Sequence, residues 1–415
     1  MTDCLWAAPL GLQVAPGIVV KDRPWEYLKV DGANVKPRDG NYEMRITEEL
    51  WEIAYIDHVA LQAVDHPADV QIWTNEKVGP GNIAEPTIFA FRNSDVFDVN
   101  NATDTQGKNV SELLKTRDGQ FVQAFEQRMR QGLCPPHWID LDFSDSIQRI
   151  QQGKSIHLVL TGWIMPTDTS LNIQIDQNPQ LPSPEYPSIW VPEADEEGGW
   201  KKVIPYAGFP GGKTKTIVID VTDQILRDDP RLRVRTSAQI YWDDAHLAVQ
   251  DEPAPFKAHD SKLNFAETGH HGFSAKSKPS ATSPEIYDYQ SASSFAKWPP
   301  LAGPLTSFGE SLGLVKAWDD KMVVISSGDE LRLKFTVPSE PIPQGWKRDF
   351  VLHCVGWDKD ADLNTLTGQS TLPLPAKDMQ QFPPTLADAE AAKGVMEKYA
   401  KRLTRRQSFR EFWRR

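Results

Sequence analysis

Asp358, Asp360, Asp362 and Asn364 alternate along Trp357-Asp358-Lys359-Asp360-Ala361-Asp362-Leu363-Asn364. Oxygen-bearing side chains two residues apart are what a calcium loop places at its first positions, so calcium is the one cofactor this chain suggests. The loop departs from an EF-hand. Leu363 stands where Gly makes the sharp turn, and Gln369 stands where a bidentate Glu closes the shell. The competing reading is an Asp-rich turn whose carboxylates cap backbone amides. A turn after Trp357 lets the aspartates converge. A continued strand spaces alternate side chains about 6–7 Å apart and keeps them from a shared ion.

Other segments imitate catalytic motifs and fail on context. Gly208-Phe209-Pro210-Gly211-Gly212-Lys213-Thr214 ends like a phosphate loop, but Ala207 occupies the place of its first glycine. The text after Thr214 is strand, not the helix whose N-terminus would face phosphate, so a glycine-rich hairpin loop is the better reading. Gly309-Glu310-Ser311-Leu312-Gly313 matches a nucleophile elbow, with Asp329 and His353 following in hydrolase order. An elbow needs a buried strand before it, and Leu301–Phe308 carries Gly303-Pro304 instead. The neighbours His270-His271 and His353-Cys354 point to opposite faces of a strand and cannot act together. No catalytic residue is assigned. Fourteen tryptophans suggest sugar platforms, yet Trp163, Trp242, Trp318 and Trp357 fall within or beside strand text, where filling a core is the plainer role.

The chain has 415 residues and a formal net charge of −12. An acidic surface argues against nucleic acid, whose phosphates need a basic face. No stretch approaches the roughly 20 apolar residues of a membrane-spanning helix. Cys4, Cys134 and Cys354 allow at most one disulfide and fit no zinc or redox spacing. The 32 prolines suit short strands joined by structured turns.

Period-two text marks strands at Tyr42–Thr47, Tyr55–Val64 and Val70–Thr74, with a short helical turn predicted over 48–52. Spacings of three and four among Val110, Leu113, Phe121, Val122, Phe125 and Met129 predict helices near 110–131. Strands are predicted at Trp138–Phe143, Ser155–Trp163, Ser170–Ile175, Ser188–Val191, Lys215–Val221 and Arg231–Tyr241, then at Met322–Ser326, Glu330–Val337 and Arg348–Val355. Absence of long helices between strands excludes βαβ units and favours a mainly β protein built of antiparallel β-sandwich, jelly-roll-like domains with a few peripheral helices. The division reads as a β-rich segment 1–105, a helical connector 106–136, a sandwich 137–247, an irregular Ser/Pro-rich excursion 248–300, a β-rich segment 301–375 and a C-terminal helix and basic tail 376–415. Thr385 and Asp388 give the helix near 385–403 a weak capping box. Two similar hairpins, each introduced by an Asp/Gly turn at Asp39-Gly40 and Gly328-Asp329, suggest that the first and fifth segments form one composite domain.

Several short motifs, in order, carry a family resemblance. They are Leu5-Trp6-Ala7-Ala8-Pro9-Leu10-Gly11-Leu12, Pro37-Arg38-Asp39-Gly40-Asn41-Tyr42, Ile56-Asp57-His58-Val59 with Val64-Asp65-His66-Pro67, Gly162-Trp163 with Pro166-Thr167-Asp168, Lys213-Thr214-Lys215-Thr216-Ile217, and Gly345-Trp346-Lys347-Arg348-Asp349-Phe350. Together they resemble the C-terminal region of large bacterial FG-GAP repeat proteins with an ASPIC/UnbV domain, which are similar to cartilage acidic protein. The likeness runs from Leu5 to Pro375, without the propeller repeats or the ASPIC/UnbV segment. It implies no catalytic residues. Its extracytoplasmic habit favours export, whereas the N-terminus reads as a poor signal peptide, so the compartment stays open.

Two functions follow as expectations. One is a non-enzymatic β-rich module for binding or assembly, with a protein or glycan partner and without a cluster of strongly perturbed acids. The other is a carbohydrate-binding or carbohydrate-processing protein working through a sandwich groove.

Overall fold

The computed structural model describes residues 8–9, 25–78, 86–182, 184–299, 301–361 and 367–377, with short pieces between 379 and 404. The protein is mainly β, its sheets are antiparallel apart from minor pairings, and its helices are few and short.

Two sandwiches account for most strands. In the first, Trp346–Asp360 pairs with Trp25–Val30 on one side and Glu52–Pro67 on the other. Glu52–Pro67 also carries Lys257–Ser261 and Val323–Ser326 along its far edge. The facing sheet runs Gly309–Glu310, Leu263–His270, Asp329–Thr336, Asn41–Thr47. Alternation explains the facing: Leu331, Leu333 and Phe335 enter the core beside Tyr55, Leu61 and Phe350. The intervening Arg332 and Lys334 turn outward onto Glu267 and Glu43. Asn41–Thr47 is therefore paired with Asp329–Thr336 in one sheet and Glu52–Pro67 with Trp346–Asp360 in the other.

The second sandwich lies within residues 96–250. One sheet runs Lys215–Asp220, Ser155–Ile164, Ile240–Gln250, Val96–Asp98. The other runs Trp200–Ile204, Ser188–Pro192, Arg231–Ala238, Leu133–Asp142, Asn101–Asp104. Leu158, Leu160, Ile217 and Leu247 meet Ile139, Leu141, Ile189 and Val234 between them. A two-stranded ribbon, Val70–Thr74 with Ile88–Arg92, lies between the sandwiches. Its Val70, Ile72 and Ala90 pack on Tyr27, Val64 and Val351 of the first. Its Trp73, Phe89 and Phe91 pack on Val159, Val218 and Ala248 of the second. Polar locks reinforce this contact. The buried Lys215 amine sits 2.7 Å from Glu26 Oε1, and the Glu76 carboxylate accepts from the Lys29 and Thr216 backbone amides.

The structure corrects four local expectations. Residues 110–131 are not helical beyond the 3-10 turn Ser111–Leu114. Their apolar spacing instead serves an irregular strap, in which Val122 bridges to Trp242 and Phe121 and Phe125 pack with Cys134, Trp163 and Tyr241. The predicted strand Ser170–Ile175 is helix Thr169–Gln177, because Asp168 caps it by accepting from Leu171 N at 2.8 Å. The excursion 248–300 is largely strand: Lys257–Ser261 and Leu263–His270 belong to the first sandwich, and Phe273–Ser277 pairs with Ile286–Ser293. Residues 48–51 are bend and coil, not a helical turn. Most of the helix expected near 385–403, with Asp388 and the basic tail, lies outside the described residues.

Lys359 is a costly element of the first core. Its side chain is buried, its amine donates to Leu372 O at 3.3 Å, and the rings of Tyr55 and Phe382 lie 5.7 and 5.6 Å away. Burial pushes its pKa down to about 8. A base bound less tightly in the folded state destabilises below its unfolded value, and stability returns as pH rises from about 8 toward 10.5. Lys359→Met is expected to raise stability at pH 7 by about 1–2 kcal/mol, after allowing for the lost ring contacts. A lowered urea midpoint would contradict this.

Candidate functional site

A cleft of about 2550 Å³ runs between the sandwiches. Its lining includes fourteen Asp and Glu against eight Lys and Arg, an acidic excess of six. The Phe273–Ser277/Ile286–Ser293 hairpin reaches across it from the first sandwich. Trp163 Nε1 of the second sandwich donates to Thr282 O at 2.9 Å, and the Lys213 amine lies 3.9 Å from the Tyr287 ring.

Each sandwich presents a β-bulge to the cleft. In the first, Val355 pairs with His58 and Gly356 with Ile56, so Asp57 is the extra residue. In the second, Thr161 pairs with Asp244 and Gly162 with Trp242, so Asp243 is the extra residue. The same residues therefore recur in both: Tyr-x-Asp on one strand (Tyr55, Asp57; Tyr241, Asp243) and Gly-Trp on its partner (Gly356, Trp357; Gly162, Trp163). Glycine is needed because a Cβ at Gly356 would lie 2.3 Å from Tyr55 O, and one at Gly162 would lie 2.5 Å from Tyr241 O. Each bulge aspartate holds a loop. Asp57 accepts from the amides of Asp319 and Asp320, both at 3.1 Å, and Asp243 accepts from Gly119 N at 3.0 Å. Burial lifts Asp57 to about 7 and Asp243 to about 6 against the pull of those amides.

Beyond the first bulge the strand does not turn after Trp357, as a calcium loop would require, but continues to Asp360. Asp358 and Asp360 share its cleft-facing side, and Glu52 stands opposite Asp360 on the neighbouring strand. One oxygen from each of the three carboxylates lies within 4.8 Å of the chosen oxygen of the other two. Glu52 was missed in the sequence, since only the register puts it there. Asp362 and Asn364 lie outside the described residues. Glu48 adjoins the cluster, and its carboxylate accepts from Leu50 N at 2.9 Å. Burial and mutual repulsion raise Glu52 to about 7 and push Glu48 and Asp358 well above the carboxylate range. A group of strongly perturbed acids is therefore present, contrary to the expectation for a plain binding module.

The catalytic look-alikes stay apart. Ser311 Oγ meets Thr268 Oγ1 at 2.8 Å and donates to Gly309 O, while His353 lies among the rings of Tyr27 and His58. Phe209–Pro210 pairs with Lys77–Val78 and leads into strand, not helix, so the glycine loop holds no phosphate site of the P-loop kind. Ser274, Glu49 and His271 do converge: Ser274 Oγ donates to Glu49 Oε1 at 2.5 Å and lies 3.5 Å from His271 Nε2. In a triad the imidazole stands between hydroxyl and carboxylate. Here the serine stands in the middle, and the imidazole stacks on Tyr289 at 4.0 Å. This is a clamp for a loop, not an activated nucleophile. His246 sits 3.1 Å from Asp98 and 3.8 Å from Asp244 in the cleft wall, so its charge neighbours are carboxylates.

No family model, curated protein or solved structure matches the chain.

Proposed function

We propose that the protein is a non-enzymatic binding module whose inter-sandwich cleft takes a basic, extended polypeptide segment. The observation that carries this reading is the acidic lining of a cleft of about 2550 Å³, which keeps an excess of three carboxylates with the raised Glu48, Glu52 and Asp358 set aside, in a volume well above the roughly 300–1,000 Å³ of small-molecule pockets. Negative walls favour a cationic partner and steer its approach. The FG-GAP-associated resemblance suits a module that works beside larger binding domains.

Sugar stacking has less support, because aromatic faces near the cleft and on the outer sheet already carry cations or rings. Tyr289 has His271 stacked on it and Arg45 4.9 Å from its ring centre. Tyr287 has Lys213 at 3.9 Å and Lys276 at 4.8 Å. On the outer face of the second sandwich, Arg233 lies 4.4 Å from both Trp138 and Trp200.

The test is fluorescence anisotropy with a labelled Lys/Arg-rich peptide and an acidic peptide of equal length. The basic peptide is expected to bind, and to weaken about tenfold between low and physiological salt. Reversing charge from the two sides, with Asp98→Lys and Asp288→Lys together, is expected to weaken it at least about fivefold. Equal binding of both peptides, or none of either, removes the reading.

A further inference from the structure

We propose that the open edge of strand Asn41–Thr47, in the cleft wall, takes the basic polypeptide as an added antiparallel β-strand. This rests on the reading of the cleft as a peptide site and names the edge that holds the chain. The two sandwiches are copies of one unit, and the second copy shows what covers this edge.

The strands correspond. Trp25–Val30, Trp346–Asp360, Glu52–Pro67 and Lys257–Ser261 lie side by side in the first sandwich. Lys215–Asp220, Ser155–Ile164, Ile240–Gln250 and Val96–Asp98 do so in the second. In the facing sheets Leu263–His270, Asp329–Thr336 and Asn41–Thr47 match Asn101–Asp104, Leu133–Asp142 and Arg231–Ala238. The agreement reaches single residues. Val323 pairs with Ile56 three residues after Asp320, whose amide Asp57 holds. Val122 bridges to Trp242 three residues after Gly119, whose amide Asp243 holds. Asp320 and Gly119 are both left-handed, with φ of 63° and 80°. Ser311 N donates to Ala266 O at 2.8 Å, as Val110 N donates to Ala102 O at 2.9 Å. Ala266 faces Leu333 and Leu333 faces Met44; Ala102 faces Leu141 and Leu141 faces Leu232. Met44 therefore corresponds to Leu232, and Glu43, Arg45 and Thr47 correspond to Arg231, Arg233 and Arg235.

The copies differ at the outer edge of this strand. In the second sandwich Ser188–Pro192 covers it, antiparallel, with Ser188 opposite Arg235 and Trp190 opposite Arg233. In the first, Asn41–Thr47 is the last strand of its sheet, and among the described residues no strand pairs with its outer side. Main-chain direction shows which groups are open. Gly40 O accepts from Val337 N and Glu48 N donates to Asp329 O, both at the ends of the inner neighbour. Alternation then turns the N–H and C=O groups of Glu43, Arg45 and Thr47 outward. All three residues line the cleft. An edge of this kind is a template for a further strand. Main-chain pairing is indifferent to side chains, and the acidic walls supply the preference for Lys and Arg.

The experiment uses the full-length protein and anisotropy of the labelled Lys/Arg-rich peptide, in three forms of equal charge. The first is unmodified. The second is N-methylated at alternate residues, which leaves one edge of amides intact. The third is N-methylated at every residue, which leaves none. The second is expected to bind within about threefold of the first, and the third at least about tenfold more weakly. On the protein side, Arg45→Pro removes an outward N–H, a change that an edge strand tolerates. Arg45→Ala loses the same side chain and keeps the amide. The proline variant, with its Tm measured alongside, should bind at least about fivefold more weakly than the alanine variant. Equal affinity of the first and third peptides would overturn the edge assignment and leave the cleft reading standing. So would equal binding by folded Arg45→Pro and Arg45→Ala proteins. No binding by any form removes the cleft reading and the edge assignment together. Self-association of the parent that excludes peptide and is dispersed by Arg45→Pro would give the edge to a second copy of the chain, and would overturn the assignment as well.

Discussion

Gly356→Val is expected to lower stability by more than about 3 kcal/mol, among the largest effects of any single substitution in this chain. The added Cβ would lie 2.3 Å from Tyr55 O and 3.3 Å from Ile56 Cα. Both are backbone atoms of the paired strand, inside the first core, and cannot move aside as a side-chain tip would. The strand must then separate or slip, and a slip of one residue turns Trp357 out of the core and Asp358 and Asp360 away from Glu52. Gly162→Val places its Cβ 2.5 Å from Tyr241 O and should cost a similar amount. Gly313→Ala is the control: nothing lies within 4 Å of its added Cβ, so the change should stay within about 0.5 kcal/mol. Denaturant midpoints settle the ranking. If Gly356→Val unfolds no more readily than Gly313→Ala, the bulge is not the tight device described here.

Ionisation of buried carboxyls is expected to remove stability as pH rises from about 5 to 8. Asp57 and Asp243, lifted by burial to about 7 and about 6, are two of these groups. A carboxyl with a raised folded pKa binds its proton more tightly in the folded state. Between its unfolded value near 4 and its raised value, the folded protein therefore carries the extra proton, and each step up in pH removes stability. Above about pH 7 this contribution is complete and the curve flattens. Glu52, at about 7, adds in the same direction. Asp349 acts oppositely: its contacts with His66, Lys29 and Gly32 hold it at about 2, so its contribution is lost only below about pH 4, outside this window. His58, His137, His157 and His353, whose pKa values burial lowers, His353 to about 4, act oppositely in the lower half of this interval, so the carboxyl contribution is read as the difference between the parent and Asp57→Asn. Asp57→Asn keeps one acceptor oxygen, for Asp319 or Asp320 but not both, and should lessen the slope over this interval. An Asp57→Asn protein whose stability changes with pH as the parent's does would contradict the assignment.

The legible part of the fold was the part governed by alternation. Leu331, Leu333 and Phe335 are readable as one face because a pleat has period two. Helix and strap were confused at Val110–Met129 because three- and four-residue apolar spacings also arise when an irregular segment drops every third or fourth side chain into a neighbouring core. Ser170–Ile175 misled for the opposite reason: its β-branched residues suggest strand, and one capping carboxylate, Asp168, decides for helix. Within the candidate site, Asp358 and Asp360 were visible as an alternating pair. Glu52 was not, because nothing local in a sequence announces which strand lies alongside. The bulge aspartates hid in the same way: Asp57 and Asp243 look like ordinary strand polar residues until the register leaves each without a partner.

The pairing of Glu52–Pro67 with Trp346–Asp360 also sets the order in which the chain can assemble. Arg348 and Asp65, joined by two hydrogen bonds across this ladder, stand 283 residues apart. The second sandwich, by contrast, closes within residues 96–250. High contact order slows folding, because loop-closure entropy must be met before a distant pair rewards it. During synthesis the inserted sandwich can complete itself while the long strand Glu52–Pro67 still waits, with an unpaired edge, for a partner not yet made. The ribbon Val70–Thr74/Ile88–Arg92 and the finished sandwich then act as a tether that shortens the effective loop between the two ends. Insertion of one domain within another here converts a nearly 300-residue closure into the docking of two ends on an already folded platform.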